Sequence, residues 1–177
     1  MRQYSNAYII AFAVPAPAQA QSRLGGVLDW IHRLSGPQFV GPALSYAVGS
    51  ERARFRASGA YRWSFASEDQ IDPDGGLTQF SITPSGEIRI WRWLEGSVGI
   101  GIHRYGGDAD GFWHWSIPVV AQGLFPVSDR TDVRGGLGWH YFPEFESDDF
   151  SPLMVTAPRD GGEWVFTLFG GVDWKLF

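Results

Sequence analysis

The sequence predicts an all-β fold: a single antiparallel, up-and-down transmembrane β-barrel of eight strands. Three observations carry this expectation. First, five stretches alternate apolar and polar residues. The clearest sets Phe55, Ala57, Gly59, Tyr61, Trp63 and Phe65 on one side and Arg54, Arg56, Ser58, Ala60, Arg62 and Ser64 on the other. Strand side chains alternate faces, so this is one greasy wall and one basic wall. Second, turn segments alternate between short (near Gly49–Arg52, Arg92–Glu95 and Pro126–Asp129) and longer polar ones (Ser67–Gly76, Gly106–Gly111 and Pro143–Gly162). Short periplasmic turns and longer outer loops have this asymmetry. Third, the aromatics gather at two heights with aliphatics between them.

Composition sets the bounds. A chain of 177 residues is one domain by size. Hydrophobic content of 44% and aromatic content of 16% exclude disorder. There is no cysteine, hence no disulfide and no thiolate metal site. A net charge of -5 gives no reason to expect nucleic acid.

Residues 1–20 read as a secretory leader. Arg2 supplies a thin basic start, Ala7–Val14 an apolar core, and Ala18-Gln19-Ala20 the small-x-small cleavage pattern. Residues 21–37 are ambiguous. Leu24, Val27, Leu28, Ile31 and Leu34 fall on a helical stripe that Ser35-Gly36-Pro37 would stop. The alternation of Leu28 and Trp30 with Asp29 reads equally as a short strand. The barrel is placed at 38–177, with strands near 40–48, 53–66, 78–91, 96–105, 112–124, 131–142 and 163–176. That makes seven; even parity asks for an eighth upstream.

Side-chain chemistry fixes which wall meets lipid. Arg54, Arg56, Arg62, Glu87, Arg89, Asp132 and Arg134 share the polar phase, where they form a lumenal charge network. Trp63, Phe65, Trp113, Trp115, Trp139 and Tyr141 lie beside the long loops; Trp91, Trp93 and Trp174 lie near the short turns. These match the two interfaces of a bilayer. The proposed lipid face carries one charge, Arg104, at the rim.

The chain closes with Val172-Asp173-Trp174-Lys175-Leu176-Phe177, a strand ending in phenylalanine. With the alternation and the girdles, this resembles the small outer-membrane β-barrel superfamily of Gram-negative bacteria, the OmpA-type and OmpW-type barrels. The resemblance covers about residues 38–177. It implies a porin-like barrel in the cell outer membrane, with lipid and the barrel-assembly machinery as partners. Phe177 is out of phase with Phe166, Leu168, Val172, Trp174 and Leu176, and a bulge near Gly170-Gly171 or a frayed end would account for that.

Several constellations could carry chemistry. His103, His114 and His140 share the polar phase. The hairpin over Gly106–Gly111 sets His103 across from His114, and a turn at Pro126–Asp129 would set His114 across from His140. A row of three imidazoles is a candidate metal site. His114-Trp115-Ser116 resembles the His-x-Ser pair of outer-membrane lipid deacylases, but it faces the lumen, and only Glu163 or Asp110 could serve as its acid. Gly135-Gly136-Leu137-Gly138 lacks the context of a phosphate loop, so no cofactor is expected. Glu144, Glu146, Asp148 and Asp149 could bind calcium or bridging cations.

The resulting expectation is a non-catalytic, monomeric outer-membrane barrel. Its lumen is filled by side chains, and it plays a structural or surface-binding role toward an extracellular ligand at the outer loops. The alternatives are lumenal metal binding or a narrow solute passage, a deacylase-like lipid enzyme, and a soluble lipocalin-like carrier.

Overall fold

The computed structural model describes residues 21–32, 38–65, 78–106, 112–143 and 162–176. The expected leader at 1–20, the candidate acid Asp110, the acidic run at 144–149 and Phe177 lie outside the described residues.

Nine strand segments follow in chain order: β1 (Gln21–His32), β2 (Gln38–Gly49), β3 (Ala53–Phe65), β4 (Thr78–Arg89), β5 (Leu94–Gly99), β6 (Gly101–Gly106), β7 (Phe112–Pro126), β8 (Thr131–Phe142) and β9 (Glu163–Lys175). All neighbours pair antiparallel. Because β1 pairs with both β2 and β9, the sheet closes on itself. Both β5 and β6 pair with β4 on one side and β7 on the other, so they are two halves of one stave. Nine segments therefore make an eight-stranded barrel.

The interruption of that stave has a covalent cause. The flanking registers set Pro84 across from Ile100 and Pro118 across from Gly99. Ile100 N donates to Pro84 O at 3.0 Å. Neither proline has an N–H to return a bond, so the ladder is broken on both sides at one level.

Residues 24–32 resolve as strand, not helix, and the barrel begins at Gln21 rather than residue 38. Leu24 and Leu28 face outward while Asp29 and Ile31 point in. As a strand, β1 covers the edges of both β2 and β9, which a helix in its place would leave open. The bulge expected at Gly170-Gly171 is also absent. Pairing runs unbroken from Thr131↔Trp174 to Phe142↔Glu163 and from Arg23↔Lys175 to His32↔Phe166.

Three tight turns join strands at one end. Gly49, at φ 149, turns the chain where another side chain would meet Ala53 O. Ser50 Oγ then accepts from the amides of Arg52 and Ala53 at 3.3 and 3.1 Å. At Val127–Arg130, Ser128 Oγ accepts from Arg130 N at 3.3 Å. At Ile90–Trp93, Ile90 N and Trp91 N both donate to Leu94 O.

The walls are inside-out relative to a soluble barrel. Leu44, Ile82, Ile88, Val98, Ile100, Ile102 and Val119 face outward, with Leu44 67% exposed. Charged groups point inward, so the lipocalin-like alternative, with an apolar cavity and a polar exterior, is the reverse of what is observed. No helix among the described residues is long and apolar enough to cross a membrane. The crossing is made by strands of 12 to 15 residues, more than the roughly 9–11 that a tilted strand requires.

Candidate functional site

The lumen is the candidate site, and it is stratified. Among the described residues, ten charged side chains are buried there. Arg23, Arg54, Arg56, Arg62 and Arg134 stand against Asp29, Glu87, Glu95, Asp132 and Asp173. Five cations and five anions leave the interior formally neutral, as burial of charge demands.

The layer nearest the short turns is built around Arg56. Arg54 and Glu87 are directly opposed across β3 and β4. Arg56 Nε nevertheless donates to Glu87 Oε1 at 2.6 Å, and its Nη2 to Asp173 Oδ2 at 2.7 Å. Arg56 Nη1 reaches Ser45 Oγ at 2.7 Å. Arg54 spans Glu87 and Glu95, and Gln122 Nε2 donates to those same two carboxylates at 3.2 and 3.1 Å. Further toward the short turns, Asp132 is paired with Arg23 and, at 3.2 Å, with Lys175. Arg89 lies at this mouth, partly exposed, 3.4 Å from Glu95.

Toward the long loops, Arg62 forms a fork with Asp29, its Nε and Nη2 at 2.6 and 2.5 Å from the two oxygens. Its Nη1 donates to Gln79 and Ser81 at 2.9 and 2.7 Å. Gln79 passes the network on to the Tyr105 hydroxyl at 2.8 Å. Above this layer, Ile31, Phe39, Tyr105, Phe142 and Val165 form a buried apolar cluster near the long connections. Between the two ionic layers lies a cavity of about 100 Å³, walled partly by Ser58, Thr83, Ser97 and Thr167.

The histidines are only partly where the sequence puts them. His103 is directly opposite His114. His140, however, is opposite Pro118, not His114. The turn spans Val127–Arg130 and joins Pro126 to Asp132, later than expected, so the register slides by four residues. The ring of Phe142 packs against all three imidazoles, at 5.0 Å from His103, 5.3 Å from His114 and 6.3 Å from His140. Among the described residues no three His, Asp or Glu side chains are grouped as a metal site. The three imidazoles gather around Phe142 rather than standing in a row across adjacent strands.

The deacylase-like pair fares similarly. Ser116 Oγ is hydrogen-bonded to His103 Nε2 at 2.8 Å and lies 3.4 Å from His140 Nδ1. Gly101 makes room for this bond, since a Cβ there would lie 2.6 Å from both partners. Ser116 is 0% exposed. His103 Nδ1 faces the Gln79 amide at 3.5 Å rather than a carboxylate. Among the described residues the hydroxyl is thus buried and no carboxylate is seen to orient the imidazole it bonds; Asp110 lies outside them.

The outward aromatics stand at both ends. Trp63, Trp113, Trp115 and Trp139 are exposed near the long connections, with Tyr141 half-buried beside them; Trp91, Trp93 and Trp174 are exposed near the short turns. The side chain of Phe65 lies outside the described residues. Arg104 is exposed, its guanidinium 5.9 Å from the Trp113 ring. Sequence reasoning missed Trp164, and also Arg23, Asp29, Glu95 and Asp173. The last four lie in segments left ambiguous, near turns, or next to Trp174, where the apolar partner drew the attention.

Three solved structures share this fold. Neisserial surface protein A matches over 89% of this chain and 97% of its own, with 12% identity and a TM-score of 0.61. A major outer membrane protein from Thermus thermophilus matches over 89% and 99%, with 12% identity and a TM-score of 0.65. Ail, the attachment invasion locus protein of Yersinia pestis, solved in complex with the heparin analogue sucrose octasulfate, matches over 89% and 97%, with 16% identity and a TM-score of 0.51. No protein-family model and no curated protein matches the chain. The fold is that of the small outer-membrane β-barrels.

Proposed function

We propose that this is a non-catalytic barrel of the cell outer membrane that acts through its outer surface rather than through its lumen. The observation that supports this reading is the dense burial of paired charge and apolar side chains inside the barrel. An apolar cluster of Ile31, Phe39, Tyr105, Phe142 and Val165 sits over two layers of paired charge. A lumen of this kind offers neither a solute path nor a reachable nucleophile. What remains for function is the set of connections on the side of that cluster, at 33–37, 66–77, 107–111 and 144–161.

Those connections contain eleven Asp and Glu residues against two arginines, Arg33 and Arg159. This acidity decides the class of ligand. Ail was solved with a polyanion, but an outer surface with a net charge of about -9 repels polyanions, an effect screened beyond roughly 10 Å at 0.1 M salt. The partner is instead a basic surface, or an anionic one reached through bridging divalent cations. The protein works as a monomer, inserted in lipid by the assembly machinery.

The test uses the full barrel reconstituted in liposomes and offered to surfaces coated with polylysine or with heparin. Adhesion to polylysine that weakens as salt rises, with none to heparin, is the expected result. Equal or stronger capture by heparin would overturn the reading.

A further inference from the structure

We propose that the mid-barrel cavity is a binding site for one small monovalent inorganic anion, held on Arg134. This goes beyond the surface role above and does not depend on the outer connections.

The wall of the cavity is electrostatically unbalanced although the whole lumen is not. Arg56, Arg62 and Arg134 line it, against only Asp29 and Glu87. Asp173, which would complete the balance, does not line it. One positive charge in excess therefore faces a space of about 100 Å³, large enough for several waters or one small anion.

Arg134 is the cation with capacity to spare. Arg56 and Arg62 each hold a carboxylate at 2.7 Å or closer. Arg134 reaches Asp173 only through Nε at 3.3 Å, with no well-directed hydrogen bond from that atom, and Ser45 through Nη2 at 3.3 Å. Asp173 is already committed to Arg56. A guanidinium has five N–H donors and no acceptor, so a buried one this loosely held is an under-used donor set. It is 5% exposed and rests against the Phe169 ring at 5.7 Å, where the apolar neighbour strengthens its field toward an anion.

A second buried group points the same way. Thr167 Oγ1 lines the same cavity, is buried, and has no hydrogen-bond partner. A hydroxyl donates readily to a halide or nitrate. The space and its donors, a guanidinium and a hydroxyl, suit a small anion of chloride or nitrate size.

The experiment refolds the full barrel in detergent in chloride, nitrate or gluconate at equal ionic strength, so that any anion is captured as the lumen closes. Thermal midpoints are read over a concentration series. The expected result is a saturable rise with chloride and nitrate that gluconate does not produce. It should be absent in Arg134→Gln and weakened several-fold in Thr167→Val, which keeps every charge and serves if Arg134→Gln does not refold. Crystals grown in bromide should show an anomalous peak beside Arg134. The same dependence in gluconate, an unchanged rise in Thr167→Val and Arg134→Gln, or a cavity holding only water in bromide crystals would each overturn the proposal.

Discussion

Arg56 is bonded to Glu87 through Nε at 2.6 Å, although the residue directly across the sheet from Glu87 is Arg54. Arg56 reaches diagonally and carries Asp173 on its other edge at 2.7 Å. It therefore ties the successive strands β3 and β4 to β9, which is 117 residues away along the chain at Asp173. Removing one partner of such a buried set strands the others: Arg56→Ala should lower stability by about 3–5 kcal/mol. Arg56→Lys should recover little of that, because an ammonium cannot present the two-edged fork. Equilibrium urea unfolding of the barrel in lipid reads both; a Lys variant as stable as the parent contradicts the geometry.

The lipid face should tolerate charge by height. Ile100→Arg, in the middle of its stave, should cost about 2–4 kcal/mol in bilayer unfolding experiments. Arg104→Leu, near the rim, should change stability by less than about 1 kcal/mol. Similar losses for both would mean that depth along the stave does not correspond to depth in the membrane.

Gly101 is spatially obligatory. An added methyl would lie 2.6 Å from both His103 Nε2 and Ser116 Oγ. Gly101→Ala should cost about 1–3 kcal/mol through overpacking, and Ser116→Gly in the same chain should return part of it. Thermal melting of the single and double variants checks this, and strict additivity would argue against the contact.

Planar bilayers containing the wild-type barrel should show no stepwise current. Phe142→Ala should stay closed as well, because the Arg62–Asp29 fork and the Arg56 layer still fill the lumen beneath it. Regular conductance steps in either protein would refute the closed interior.

Much of this was legible in the sequence, because a period of two needs no long-range information. Arg54, Arg56 and Arg62 alternate with Phe55, Tyr61 and Trp63, and that alone fixes which side each faces. What alternation does not fix is register across a turn whose closing residues are unknown. His103 and His114 could be paired because the assumed centre of their hairpin agrees with the pairing of Tyr105 and Phe112, whereas His140 moved by four residues once Pro126 paired with Asp132. β1 was obscured for a different reason. Leu24, Val27, Leu28 and Ile31 fit a helical stripe while Leu28, Asp29 and Trp30 alternate as a strand, and only the need of β2 and β9 for a neighbour decides between them. The lumenal partners Asp29 and Asp173 were hidden because a lone carboxylate among apolar residues reveals no partner until the cylinder closes.

The two prolines that face Gly99 and Ile100 give the cylinder a seam. A closed ring of hydrogen bonds has no free edge at which to fray, yet here two successive carbonyls lose their donors at one height, Pro84 on one flank and Pro118 on the other. Amide protons at Gly99–Gly101 should therefore trade with deuterium sooner than those of any stave at equal depth. When the wall parts under load, it should do so along this line.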